Sequence, residues 1–386
     1  MDAKAFSTPN GEFIENRDGD RSFLPNKIPP VKITYDEEIV TLVGDANLRL
    51  GNLRGLGETI PNPALLIVPY LKREAVSSSK IEGTQATMSD LFRYEVGEKL
   101  DETTKSTLRI KEVNNYVDAF NYSYDHVQKN NSLNLDLIKE AHHILMNEVR
   151  GGDMNPGEFR TSQNWLGKEN SEIHDAVYVP PPPDKLISLL KNLEDFIEEP
   201  PNRMQPLIQA AILHYQFEAV HPFIDGNGRI GRLLISLFLS KYDILPKPLL
   251  YLSAFFERNK TDYDKKLLVV SQKSKWKDWI KFFLTAIIEQ ADETTNHIQQ
   301  ILRLRTQYEE VLRTDRRNSA FRLIDRLFAN PYITAKMVSQ HLSCSTPAAQ
   351  RALDSLVQLG ILEETGERVD RSRLYVAREI LSVLIK

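Results

Sequence analysis

Two apolar helical runs, "PLIQAAILHYQFEAV" and "LLISLFLSKY", are joined by a short linking stretch, His221 to Arg232, "HPFIDGNGRIGR". No other stretch limits the fold so much. In the first run Leu207, Ala210, Leu213, Phe217 and Val220 recur on one helical stripe, the pattern of a core helix. Pro222 forbids simple continuation and disfavours the helical state of the residue before it, so the first helix ends at His221. The chain must therefore bend between two core helices, and it does so with one His, one Asp, one Asn, two Arg and three Gly. Few positions are left for ordinary packing.

Those residue types at that spacing suit phosphate chemistry. Gly226, Asn227 and Gly228 supply backbone freedom just before a new helix, so successive N–H groups can turn toward one point, and the helix dipole adds partial positive charge there. Arg229 and Arg232, three apart, project on neighbouring faces of the first turn. The sum is an anion cradle for several phosphates, with Asp225 beside it as a hard oxygen ligand for Mg²⁺ and His221 across the bend as the base. An imidazole with an ordinary pKa near ~6.5 accepts a proton at neutral pH. No G-x-x-x-x-G-K-[ST] phosphate loop occurs.

The stretch resembles the Fic-domain motif, H-x-F-x-(D/E)-G-N-G-R-x-x-R, at every defined position. The resemblance implies a mainly α fold, a Fic-type helical core with a small β-hairpin flap, and transfer of AMP from ATP to a hydroxyl side chain of a target protein. It implies that His221 deprotonates the hydroxyl, that Asp225 binds Mg²⁺, and that Gly226, Asn227, Gly228, Arg229, Ile230, Gly231 and Arg232 hold ATP, with Phe223 pinning the loop inward. Tyr263, and nearby Ser271, are placed by the same analogy beside the adenine. Upstream, "SSSKIEG" resembles the family's inhibitory motif, (S/T)-x-x-x-E-(G/N), with Ser78, Glu82 and Gly83 at its defined positions. That implies a Glu82 carboxylate paired with Arg232, holding the enzyme off.

The remaining features set the frame. "DMNPGEFRTSQNWLGKENSEIHDAVYVPPPP" is rich in Gly, Asn and Pro and has β-prone pieces at Asn164–Leu166 and Ala176–Val179, a hairpin inside a helical region. It resembles the Fic flap, on whose edge a target protein docks by backbone pairing. His142, His143 and His214 lie on helices without a ligand-like set and are assigned to structure. Met1 to about Tyr35 lacks periodicity and reads as an extended or wrapped arm. Past Arg317, "AFRLIDRLFANP", "TAKMVSQHL" and "STPAAQRALDSLVQLG" are three short helices, and "ILEETGERVDRSRLYVA" is a pair of strands around a Gly-containing tip, together the pattern of a C-terminal winged helix-turn-helix. Gln350, Arg351, Arg368, Arg371 and Arg373 are its DNA-facing candidates, but Glu363, Glu364, Glu367 and Asp370 share the wing, so DNA is not the favoured partner.

At 386 residues the chain exceeds the usual single domain, and we divide it into residues 1–110, with the inhibitory helix, 111–316, the catalytic core, and 317–386, the winged helix. A single Cys excludes an internal disulfide framework and a thiolate zinc cluster. With no signal-like start, no run of the roughly 18–20 apolar residues a membrane span needs, and a net charge of −4, a cytoplasmic protein without membrane contact is expected. The function expected is a protein adenylyltransferase using ATP and Mg²⁺, modifying a target and itself, with a homo-oligomer as one route to releasing the inhibitory helix. The rivals are AMP removal, transfer of another phosphate-containing group, and a DNA-binding regulator that senses nucleotide.

Overall fold

The computed structural model describes residues 6, 9–15, 20–30, 33–60, 64–97, 104–149, 151–152, 154–167, 172–199, 204–314 and 318–385. Along the chain these form β1 (Gly11–Glu15), β2 (Arg21–Pro25), α1 (Glu37–Thr59), α2 (Ala64–Ile81), α3 (Met88–Glu95), α4 (Lys105–Asn130) and α5 (Leu135–Leu145). Then come α6 (Pro183–Glu198), α7 (Pro206–Val220), α8 (Asn227–Lys241), α9 (Ser253–Arg258), α10 (Lys260–Lys273) and α11 (Trp276–Thr314). The C-terminal elements are α12 (Asn318–Ala329), β3 (Tyr332–Thr334), α13 (Ala335–Leu342), α14 (Thr346–Gln358), β4 (Glu363–Val369), β5 (Ser372–Val376) and α15 (Arg378–Leu384). The fold is mainly helical with little antiparallel sheet, and no helix of the described residues is long and apolar enough to cross a membrane.

Contacts divide the chain into two compact units, residues 1–51 with 115–291 and residues 52–114 with 292–386. The division differs from the three sequence segments because it follows packing, whereas they follow composition. In the first unit α7 is the centre. Every residue of α7 but Pro206 and Glu218 is buried, so the apolar stripe seen in the sequence is part of a helix enclosed on all sides. Every residue of α8 but Gly228 and Lys241 is buried as well. The N-terminal segment is not merely an arm. β1 and β2 form an antiparallel hairpin, Gly11 opposite Pro25 through Glu15 opposite Arg21. Buried Asn10 fastens it, donating to the Tyr215 hydroxyl at 2.9 Å and accepting from the Trp276 indole at 3.1 Å.

Among the described residues the flap shows one antiparallel bridge, Leu166 to Tyr178, with a 3₁₀ turn at Ile173–Asp175 between them. Prolines 180–183 lack N–H donors and stop the pairing from continuing on one side.

In the second unit α2 packs on α12. Lys72 of α2 is buried and donates to Glu95 at 2.6 Å, and Asn330, at the end of α12, donates to the same carboxylate at 3.0 Å. The three C-terminal helices anticipated from sequence are present. Thr334 caps α13 by accepting from the Met337 N–H, and Gly360, past the end of α14, has φ +71°. The strand pair is also present, with two differences. A third strand, β3, pairs with β5 to give the order β3-β5-β4, and the tip is Asp370–Arg371, both at positive φ. Gly366 lies inside β4, where the register shifts between Glu364 and Arg368.

Candidate active site

The bend is built from the end of α7 upward. His221 is the C-cap of α7 and adopts φ 48°, ψ 63°, a left-handed conformation rare outside Gly, Asn and Asp. Its Nδ1 lies 3.2 Å from the Glu218 carbonyl. A carbonyl can only accept, so Nδ1 carries the proton of the neutral ring and Nε2 holds the basic lone pair. Phe223 is fully buried and stacks on His142, centroids 3.7 Å apart and planes within 3°. Asn227 closes the loop on it. Its Oδ1 accepts the Phe223 N–H at 2.8 Å and its Nδ2 donates to the Phe223 carbonyl at 2.9 Å.

That closure changes the expected cradle. Helix α8 already begins at Asn227, so of the three residues read as free backbone only Gly226 is left-handed, with φ 78°. Asn227 has its carboxamide committed to Phe223. The first intrahelical bond runs from the Ile230 N–H to the Gly226 carbonyl at 3.1 Å. The N–H groups of Asn227, Gly228 and Arg229 therefore precede the helical ladder, the donors a helix offers to an anion.

Arg229 is 2% exposed, its Nη2 lies 3.7 Å from Asp225 Oδ1, and its Nε and Nη1 meet no hydrogen-bond acceptor among the described residues. A buried guanidinium with donors to spare is costly unless an anion joins it. Arg232 is likewise buried. Asp225 Oδ1 accepts the Gly226 N–H at 2.6 Å, while the side chain remains 38% exposed. No group of three His, Cys, Asp or Glu suited to a metal occurs among the described residues. Asp225 offers one part-exposed carboxylate beside the N–H and guanidinium donors, a set that suits Mg²⁺ bound through one carboxylate plus phosphates and water.

The other expected nucleotide residues lie deeper. Ile230 is fully buried. Gly231 sits at the contact of α7 and α8, where an added Cβ would stand 2.4 Å from Glu218 Oε1 and 3.2 Å from the Phe217 ring. Its carbonyl accepts from His214 Nδ1 at 3.0 Å, and His214 Nε2 accepts the Tyr263 hydroxyl at 2.8 Å. Tyr263 is 3% exposed and stacks on Phe256 at 4.5 Å, so the geometry favours a packing role over contact with adenine. Ser271 is also buried, bonded to the Tyr215 hydroxyl at 2.8 Å. In the second unit Ser78 is buried in α2, and Glu82 is exposed in the turn that follows, with Gly83 at φ +89° ending the helix.

Several supporting residues carried no sequence signal. Arg160, Asn164 and Tyr178, at the base of the flap, donate to carbonyls around the bend. His142 holds the loop from the other side. It accepts the Gly157 N–H at Nδ1 (2.9 Å) and meets the Asp225 carbonyl through Nε2 (3.0 Å), and burial pulls its pKa down to about 4. Burial takes His214 to about 3. Both rings are neutral near pH 7 and brace the bend through these bonds.

Residues 40–125 match the Fic/DOC family N-terminal region and residues 132–239 match the Fic/DOC family itself, together about half the chain. The chain belongs to the Fic/DOC family. The second match ends inside α8 and contains the whole bend. Among curated relatives of this Fic chain, protein adenylyltransferase Fic of Nematostella vectensis is 30% identical over 171 residues, 44% of this chain and 37% of that one. Protein adenylyltransferase fic-1 of Caenorhabditis briggsae is 32% identical over 125 residues, 30% of this chain and 23% of that one. The matches thus span little more than a third of these relatives' length at most. Among solved structures, a Fic family protein from Desulfovibrio desulfuricans G20 superposes with TM-score 0.58 at 23% identity, covering 90% of this chain and 98% of that one. Fic-1 of C. elegans gives TM-score 0.54 at 18% identity, covering 68% and 74%. These likenesses bear on the fold.

Proposed function

We propose that the chain is a protein adenylyltransferase that moves AMP from ATP to a hydroxyl side chain of a target protein and of itself. The observation that carries the reading is the buried Arg229, with two guanidinium nitrogens lacking acceptors, beside three N–H groups at the start of α8. Phosphates answer both needs. His221 Nε2 takes the proton of the attacking hydroxyl. The hydroxyl oxygen then bonds to the α-phosphorus of ATP, and the bond from that phosphorus to the bridging oxygen breaks, releasing pyrophosphate. Gly226 allows the turn, the N–H groups of Asn227, Gly228 and Arg229 bind phosphate oxygens, and Arg229 and Arg232 offset the charge that grows on the leaving group. Bound at Asp225, Mg²⁺ would neutralise phosphate charge. Ile230, Gly231 and Tyr263 serve by holding α8 in place. A cytoplasmic setting supplies the ATP this reaction uses.

The target docks on the flap through Leu166 and its neighbours. Glu82 is the inhibitory carboxylate, which ties up an Arg of the cradle and repels the terminal phosphate, and the segments 1–110, 111–316 and 317–386 are its regulatory, catalytic and interaction regions. Release of Glu82 is linked to self-association. The C-terminal elements act as a winged helix that contacts protein. Arg373 pairs with Glu364 at 3.3 Å and Lys336 with Asp370 at 3.5 Å, and Arg378 pairs with Glu363, so acidic partners sit among the basic groups that DNA would require.

The test uses ATP labelled at the α- or the γ-phosphate, with Mg²⁺. Glu82→Gly should incorporate α-label into protein at least tenfold above wild type and should incorporate no γ-label. Incorporation equal to wild type would remove the inhibitory role, and transfer of γ-label would replace AMP transfer with phosphorylation.

A further inference from the structure

The end of α7 poses a problem that most helices solve with Gly or water. Its last carbonyls have no partner within the helix, and here they are enclosed. The flap base supplies the donors. The Tyr178 hydroxyl donates to the Ala219 carbonyl at 2.9 Å. Arg160 Nη2 donates to the Val220 carbonyl at 3.4 Å and Nε to the His221 carbonyl at 2.8 Å. The backbone N–H of Arg160 donates to the Pro222 carbonyl at 2.9 Å, and Asn164 Nδ2 to the Phe223 carbonyl at 2.9 Å. Each carbonyl from Ala219 to Phe223 thus has a donor from residues 160–178.

Arg160 is the centre of this set. It is 4% exposed, and its remaining donors reach the Pro181 carbonyl at 2.6 Å and the Ser162 carbonyl at 3.2 Å. Its hydrogen bonds all go to carbonyls and no carboxylate among the described residues acts on its charge, which is answered by the carbonyl end of α7 and by the flap. One planar fork thus spans the left-handed bend on one side and both arms of the flap on the other. An ammonium on a flexible stem cannot reproduce it.

We propose that Arg160, assisted by Asn164 and Tyr178, is the positioning residue that holds His221 left-handed and aims Nε2 at the incoming hydroxyl. The inference rests on the reading of His221 as the base of AMP transfer. The Arg160 side chain hydrogen-bonds to the carbonyls of residues 162, 181, 220 and 221 and to no group of α8, so its loss should move the base and spare the phosphate cradle. A displacement of about 1 Å in such a site costs on the order of 100-fold in rate.

The experiment measures kcat and the KM for ATP per folded molecule in the active Glu82→Gly parent. Arg160→Lys should lower kcat ten- to a hundredfold with the KM for ATP within twofold of the parent. Tyr178→Phe, which keeps its volume and loses one donor, should lower kcat about three- to tenfold with the same unchanged KM, and it carries the test if the Lys variant does not fold. Variants as fast as the parent, or losses shared equally by kcat and ATP affinity, overturn the positioning role while leaving the site's reading intact. A folded parent that transfers no AMP overturns that reading, and this inference with it.

Discussion

His142 and His214 are buried rings kept neutral by their surroundings, and each ties a piece of the bend to the core behind it. Both have folded pKa values depressed from 6.5, to about 4 and about 3, chiefly by burial. The unfolded chain therefore binds more protons than the folded one once pH falls below about 6.5. The stability they contribute is complete above that pH and is lost as pH falls toward the folded values. Between pH 7 and pH 5 each ring should cost the fold on the order of 2 kcal/mol. Urea unfolding of the first unit's signal at the two pH values checks this, and equal stabilities would contradict it. At this scale the motif residues were legible because they are adjacent in sequence. The chemistry proposed for His221, Asp225 and Arg229 is read from that spacing and from the family motif it matches. Arg160 and Tyr178 could not, since their partners lie about 60 and 41 residues away and nothing local marks them. Tyr263 reads equally as ring or ligand until its hydroxyl is seen bonded to His214.

At the scale of elements, α7 and α8 form one device: two buried helices that meet where Gly231 lets them approach, joined by a bend that carries the His221 imidazole and a set of N–H donors at the start of α8. Gly231→Ala would force a methyl group against the Phe217 ring at 3.2 Å and the Glu218 carboxylate at 2.4 Å. The carboxylate can shift more readily than the ring, so overpacking of about 1–3 kcal/mol is expected, read as a lower urea midpoint with an unchanged slope. A variant as stable as wild type would mean the helices are less tightly opposed than described. Helix positions were legible through their apolar periodicity and through Pro222, Thr334 and Gly360. Burial of α7 on every side was not, because a stripe of strong residues looks the same whether or not its polar face is covered. The β1–β2 pairing is not legible for a related reason: "GEFIE" and "RSFLP" are too short to establish alternation, and their register becomes visible only when paired. The flap differs the other way: among the described residues its β-prone pieces share one bridge, and prolines 180–183 stop the pairing on the side away from the tip.

Over the whole molecule, α2 with its Ser78–Gly83 segment belongs to the same compact unit as the C-terminal elements. The Lys72–Glu95–Asn330 cluster joins α2 to α12, a connection that composition along the chain could not reveal. The bend and its supports all lie in the other unit. The proposed AMP transfer requires His221 to act as base over a bound nucleotide at that bend. The most direct measurement is intact mass spectrometry of Glu82→Gly and of Glu82→Gly with His221→Ala, each after incubation with ATP and Mg²⁺. The first protein should gain AMP and the second should gain none, with both still binding ATP. AMP on the His221→Ala protein at the same rate would contradict it.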